Sequence, residues 1–200
     1  GIGSGGQDGT SVCTAVIQLN ANGSNDTGFD GDGIACIGSD HPTASFFAGM
    51  DIQRMPDGKL LLAGYGTHAG QTSINADMLA IRLNADGTVD DTFGNGGQAA
   101  VAFDQGGDFF DLANAIAIRP DGRIALAGGV SALQSSDMAV AWLNADGTLD
   151  ENIGNAGRTL IPFGNGGHSH DVAKAAALLP DGRLLLGGVG PAGCERHGHV

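Results

Sequence analysis

The sequence predicts an all-β fold made of one repeated unit, on three observations. First, Leu19-Asn20-Ala21-Asn22-Gly23 returns as Leu83-Asn84-Ala85-Asp86-Gly87 and as Leu143-Asn144-Ala145-Asp146-Gly147. Second, Pro56-Asp57-Gly58 returns at Pro120-Asp121-Gly122 and Pro180-Asp181-Gly182, so each landmark steps by 64 and then by 60 residues. A fixed period in this range marks a repeat architecture, in which each unit buries its core against its neighbours. Third, the segments between landmarks are short apolar runs bounded by Gly, Pro, Asn and Asp, which is the pattern of strands and turns.

One unit reads as four strands. Ala113 to Arg119 is strand A, Pro120-Asp121-Gly122 turns the chain, and Arg123 to Ala127 is strand B. Gly128 to Ser136 is a loop, Asp137 to Leu143 is strand C, and after a Gly-rich stretch Thr159 to Phe163 is strand D. Along strand C, Met138, Val140 and Trp142 share one face while Ala139, Ala141 and Leu143 share the other. Both faces are apolar, so each sheet needs a neighbour on both sides. Four antiparallel strands per unit, stacked face to face, describe β-propeller blades. A β-solenoid is the alternative, although its coils are shorter and carry fewer hairpin turns.

The order along the chain is CD-ABCD-ABCD-AB, starting at strand C (Val12 to Leu19) and passing strand B (Arg183 to Leu186). This gives three blade equivalents in one repeat domain: half-blade 1–45, blade 46–104, blade 105–164 and half-blade 165–200. Propellers have about 4 to 8 blades. Either the chain is a piece of a longer propeller, or two copies close a six-bladed ring by exchanging half-blades. His199-Val200 reads as the start of another strand C and favours the longer parent.

The run Arg82-Leu83-Asn84-Ala85-Asp86-Gly87-Thr88-Val89-Asp90, then Thr92-Phe93-Gly94, with Arg119-Pro120-Asp121-Gly122-Arg123 and Ala127-Gly128-Gly129, resembles the bacterial delta-60 repeat. The resemblance covers nearly the whole chain. It implies a propeller-like fold and an exported or surface protein, and it implies no particular activity. Phe29-Asp30-Gly31-Asp32-Gly33 is matched by Phe93-Gly94-Asn95-Gly96-Gly97 and by Ile153-Gly154-Asn155-Ala156-Gly157. The third copy has Ile for Phe and Ala for Gly, so its C–D loop is expected to differ.

The net charge is −13, from 22 acidic and 9 basic residues. That excludes ordinary nucleic-acid binding, which Lys and Arg drive by neutralising phosphates. It disfavours anionic membrane surfaces and permits cations. No apolar run approaches the roughly 20 residues of a membrane span. The chain starts at Gly1 without a signal peptide and reads as a mature or excised form. Its few Lys fit an extracellular, cell-surface or periplasmic protein.

Three cysteines are too few for a disulfide scaffold. Cys13 aligns with Asp77 and Asp137 at the start of strand C, and Cys194 lies in a B–C loop. The two would meet if the half-blades joined, so a Cys13–Cys194 disulfide is expected to clasp the break. Cys36 aligns with Ala100 and Leu160 inside strand D and is expected as a buried free thiol. Pairing of Cys13 with Cys36 is the alternative, at different heights in a plain hairpin.

The repeated A–B and C–D turns fall on one face of the disc and suggest structural duty. The B–C loops and D–A crossovers fall on the other, which varies between copies and holds every histidine: His41, His68, His168, His170, His197 and His199. His168, His170 and Asp171, with His197 and His199, flank one A–B hairpin and offer ligand types for Zn²⁺. Cys194 cannot both join that site and bond Cys13. A second, weaker cation set is Asp26, Asp30 and Asp32, for Ca²⁺, although turn formation also explains those residues. Phe109, Phe110 and Asp111 on the variable face could contact a sugar or a protein, or plug the gap between blades. No nucleophile elbow, Walker loop or dinucleotide fingerprint is present. The sequence therefore points to a binding or assembly module working through the B–C and D–A face, with a protein, a glycan, further copies of itself or the rest of a longer chain as partner. A metal-dependent hydrolase or lyase on the same face is the alternative.

Overall fold

The computed structural model describes residues 13–38, 44–68, 75–103, 110–132, 135–161 and 170–190. All twelve elements among them are strands. β1 (Thr14–Ile17) and β2 (Ile34–Ile37) form a two-stranded sheet. β3 (Ala44–Arg54), β4 (Leu60–His68), β5 (Asp77–Leu83) and β6 (Gln98–Val101) form the first complete sheet, in chain order. β7 (Asp111–Ile118), β8 (Ile124–Ala132), β9 (Ser135–Leu143) and β10 (Arg158–Ile161) form the second. β11 (Val172–Leu178) and β12 (Leu184–Val189) close the series. Every pairing between these strands is antiparallel. The CD-ABCD-ABCD-AB propeller architecture is therefore what forms.

Strand alternation builds the cores between sheets. Leu61, Ala63, Met78 and Ala80 of the first complete blade face Ile116, Ile124, Leu126 and Ala139 of the second. From the opposite face of that first blade, Leu62, Leu79 and Ile81 pack on Val16, Phe29 and Ile37 of the preceding half-blade. Val140 and Met138 face Ala173, with Trp142 packed alongside, while Ala139, Ala141 and Leu143 lie in the other core, the division expected from the sequence. Each fully buried Leu or Ile contributes about 1.5–3 kcal/mol of hydrophobic free energy, and these layers supply most of the burial.

The innermost strands share a bulge. Register shifts between Gly49 and Asp51, between Ala113 and Ala115, and between Ala173 and Ala175, the same position in each unit. Opposite it stands a glycine of strand B. A Cβ on Gly64 would lie 1.9 Å from the Ala48 oxygen, on Gly128 1.7 Å from the Leu112 oxygen, and on Gly188 2.1 Å from the Val172 oxygen. The missing side chain lets the two backbones meet at the bulge.

Several expectations are corrected. Cys13 bonds Cys36, not Cys194, with Cα atoms 5.7 Å apart, inside the usual bridging range. β1 and β2 pair Ala15 with Cys36, so the two cysteines sit diagonally across the strands and their side chains can still meet. Cys36 is accordingly an exposed half of a disulfide, not a buried thiol. Cys194 lies outside the described residues. The loop expected over Gly128 to Ser136 is mostly strand, because β8 runs to Ala132 and β9 begins at Ser135. The third C–D loop keeps the backbone pattern of the second, although Ile153 is half-buried where Phe93 is fully buried. Positive φ falls at Gly94, Gly96 and Gly97 and again at Gly154, Ala156 and Gly157, whereas the first copy places it at Asp30, Gly31 and Gly33.

Candidate binding face

The two faces of the disc differ in how their residues are spent. On the turn face, the first two C–D loops are each bonded to the Asn-Ala-Asp-Gly turn of the next blade. Asp30 N–H donates to the Asp86 oxygen at 2.6 Å, and Gly94 N–H donates to the Asp146 oxygen at 2.7 Å. The buried rings of Phe29 and Phe93 lie against Gly87 and Gly147, whose absent Cβ atoms would sit 3.0 and 2.8 Å from them. Beneath the turns, Asp90 accepts from Arg82 Nε and, at 2.6 Å, from Lys59 Nζ; its other oxygen accepts from Thr92. Arg82 also lies over the Phe93 ring, 4.6 Å from its centroid. Burial alone would raise the Asp90 pKa, but hydrogen bonds from Lys59, Thr92 and Arg82 outweigh it and hold the carboxyl well below the usual range. These charges bind the protein to itself.

The loop face carries the length variation. Pro56 lies 27 residues before Leu83, but Pro120 lies 23 before Leu143, while Phe29, Phe93 and Ile153 each precede the Pro of the next Pro-Asp-Gly turn by 27. The extra residues therefore fall in the connection between β4 and β5. Two crossovers on this face share one anchor: Asp111 N–H donates to the Ala76 oxygen at 2.8 Å, and Asp171 N–H donates to the Ser136 oxygen at 2.7 Å. The Asp111 carboxylate is buried and accepts from Phe103 N–H at 2.7 Å. Asp77 and Asp171 are likewise buried.

Phe110 and His170 occupy equivalent positions just before these anchors, and both are exposed. Phe110 meets Tyr65 edge to ring, with centroids 6.5 Å apart and planes at 87°. Tyr65 stands within strand B where the other copies carry Gly129 and Val189. It is the chain's single tyrosine, and that substitution within the repeat was the available signal for it. Ser136 Oγ lies 3.4 Å from His170 Nδ1.

The predicted sites thus divide. Phe110 is presented to solvent and packed across two blades, whereas Asp111 is committed to holding its crossover. His170 is exposed and Asp171 is buried beneath it. His41, Phe109, His168, His197 and His199 lie outside the described residues, as does the side chain of His68 at the end of β4. Among the described residues no three His, Cys, Asp or Glu side chains group closely enough to hold a metal ion. Asp26, Asp30 and Asp32 are included in that statement. Gln18 and the Gly28 N–H donate to Asp26 and hold its pKa below the ordinary value, while Asp32 accepts from Ile34 N–H at 2.9 Å. Two of the three acids therefore serve their own turns.

A family model described as a β-propeller domain of unknown function, DUF5122, matches residues 2–29, 56–93 and 119–152, together half of the chain. No curated protein matches it. The second and third matched stretches each run from an A–B turn through strands B and C into the C–D loop, the segments that carry the inter-blade bonds. The chain belongs to the DUF5122 β-propeller family.

Proposed function

We propose that the protein is a propeller module of the delta-60 type that works in an oxidising compartment outside the cytoplasm, binding a protein or glycan through its B–C and D–A loop face. The observation that carries this reading is the exposed Phe110 ring braced edge-on by Tyr65. An aromatic pair held rigid at low entropic cost is a common anchor for sugar rings and for protein hot spots. The opposite face supports the assignment by contrast, since its turns are occupied in joining blades. The Cys13–Cys36 disulfide supports an exported location, because structural disulfides persist in oxidising compartments. Turns repeated between copies on one face with length variation on the other fit the usual division between frame and binding loops.

The test is a glycan array and a displayed peptide library, both probed with labelled protein. The reading predicts binding that Phe110→Ala and Tyr65→Ala abolish while the thermal melt stays unchanged. Binding that both substitutions leave intact, but that changes at Asp57 or Asp121 on the opposite turns, would contradict it.

A further inference from the structure

Where the innermost strands run into their Pro-Asp-Gly turns, the chain departs from its own repeat. Gln53 stands where the other copies carry Ala117 and Ala177. Arg54 stands in place of Ile118 and Leu178, and Arg119 in place of Met55 and Leu179. Each time, a polar or charged side chain replaces an apolar one. All three line a single cleft of about 360 Å³ between β3, β7 and β11. Half-buried Ile118, Ala176 and Leu178 form its apolar side. Its walls are described residues of three successive units, so it rests on neither end of the chain. The volume falls in the range of about 300–1,000 Å³ that small molecules occupy.

The two arginines are spent differently from the cations around them. Lys59 is paired with Asp90, Arg123 with Asp121 and Asp150, and Arg183 with Asp181. Arg54 is exposed and makes no hydrogen bond or ion pair among the described residues. Arg119 donates from Nη2 to the Gly182 oxygen at 3.2 Å, and its other donors remain for a ligand. The carboxylates of the adjoining turns are engaged: Asp121 lies 2.8 Å from Arg123, and Asp57 accepts from the Lys59 N–H at 3.1 Å. In a protein of net charge −13, two guanidinium groups without a carboxylate share one cleft.

We propose that this cleft binds a small carboxylic acid with a compact apolar body. Arg54 and Arg119 take the carboxylate, because a planar guanidinium matches its two oxygens, and the Gln53 amide donates beside them. Ile118, Ala176 and Leu178 cover the hydrocarbon part. A sugar acid fits less well, since its hydroxyls would meet that apolar side without partners. Inorganic phosphate would leave the same side uncovered. The site is separate from Phe110 and Tyr65 and does not depend on the reading of the loop face.

The test is calorimetric titration of the protein with hexanoate, with hexanamide and glucuronate as comparisons, alongside methyl NMR spectra. Hexanoate should bind saturably and shift the Ile118 methyl signals, whereas hexanamide should do neither and glucuronate should bind more weakly. Arg54→Ile and Arg119→Met install the residues that other copies carry there, so both should melt like the parent chain. Each should weaken hexanoate binding by about tenfold, the worth of a hydrogen bond to a charged group, and the double variant should abolish it. Arg183→Ala should leave it unchanged. The Ile118 shift in the parent chain locates the site whatever the variants do to stability. No saturable binding of hexanoate by the parent, equal binding of hexanamide, tighter binding of glucuronate, or binding that survives in a folded double variant would each overturn the proposal.

Discussion

Arg82 donates from Nη1 to the carbonyl oxygen of Ala145 at 2.7 Å, tying strand C of one blade to the turn of the next. The same guanidinium holds Asp90 in its own blade, and both side chains are nearly buried. Removing one member of a buried, hydrogen-bonded ion pair costs about 3–5 kcal/mol. Arg82→Ala should lose stability of that order in urea unfolding, with Lys59 retaining part of the Asp90 interaction. Arg183→Ala, which removes an exposed pair with Asp181, should leave the midpoint where it is. Equal effects from the two variants would show that Arg82 does not join the blades.

The depressed pKa of Asp90 fixes the sign of the acid response. A carboxylate held below its unfolded value contributes stability above an unfolded pKa of about 3.9 and loses it as pH falls toward the folded value. Asp26, Asp86, Asp146 and Asp181 are shifted in the same direction, each first by a side-chain hydrogen bond. Stability should therefore decline as pH drops below about 4, and Asp90→Asn should be less stable at neutral pH with a shallower acid decline. Chemical denaturation across that range checks both statements.

Gly128→Ala should be severely destabilising, by about 3–5 kcal/mol, since its Cβ would overlap backbone that cannot swing aside. Gly187→Ala, one position before the last equivalent glycine, meets only the Ala175 Cβ at 4.0 Å and should change stability by less than about 0.5 kcal/mol. Thermal melts of the two variants separate close approach from generic loss of flexibility.

Ala156 adopts φ of 47° where the second copy has Gly96 at 59°. An L-residue in that region costs about 1–2 kcal/mol. Ala156→Gly should recover a fraction of this, raising the melting temperature by a few degrees, and a decrease would contradict the assigned strain.

Much of the skeleton was legible because the repeat supplies its own alignment. The faces of strand C followed from simple alternation, and the A–B turns from Pro-Asp-Gly. The extent of β8 was missed because Gly128 and Gly129 read as loop residues, when one of them is required by a bulge that only the paired strand reveals. The disulfide was missed because equal height was taken as the requirement, while a diagonal pair across a short hairpin also brings two sulfurs together. Phe110 could be nominated from sequence, but its partner Tyr65 lies 45 residues earlier in the chain, at a distance that only the stacking of blades removes.

Non-reducing peptide mapping should recover Cys13 linked to Cys36, with Cys194 alkylated without reductant. Breaking the bond by Cys36→Ala should cost the first half-blade up to about 3 kcal/mol of chain-entropy stabilisation, read as faster proteolysis within residues 13–38. A Cys13–Cys194 peptide would contradict the pairing.

The claim that two equally built blades stand between two half-blades is tested most directly by amide hydrogen exchange at single-residue resolution. The account predicts that the slowest amides lie in β4, β5, β8 and β9, and that protection repeats between equivalent positions: Leu62 with Leu126, Leu79 with Ala139, and Ile81 with Ala141. Slow amides confined to one of the two sheets, or spread without that correspondence, would contradict it.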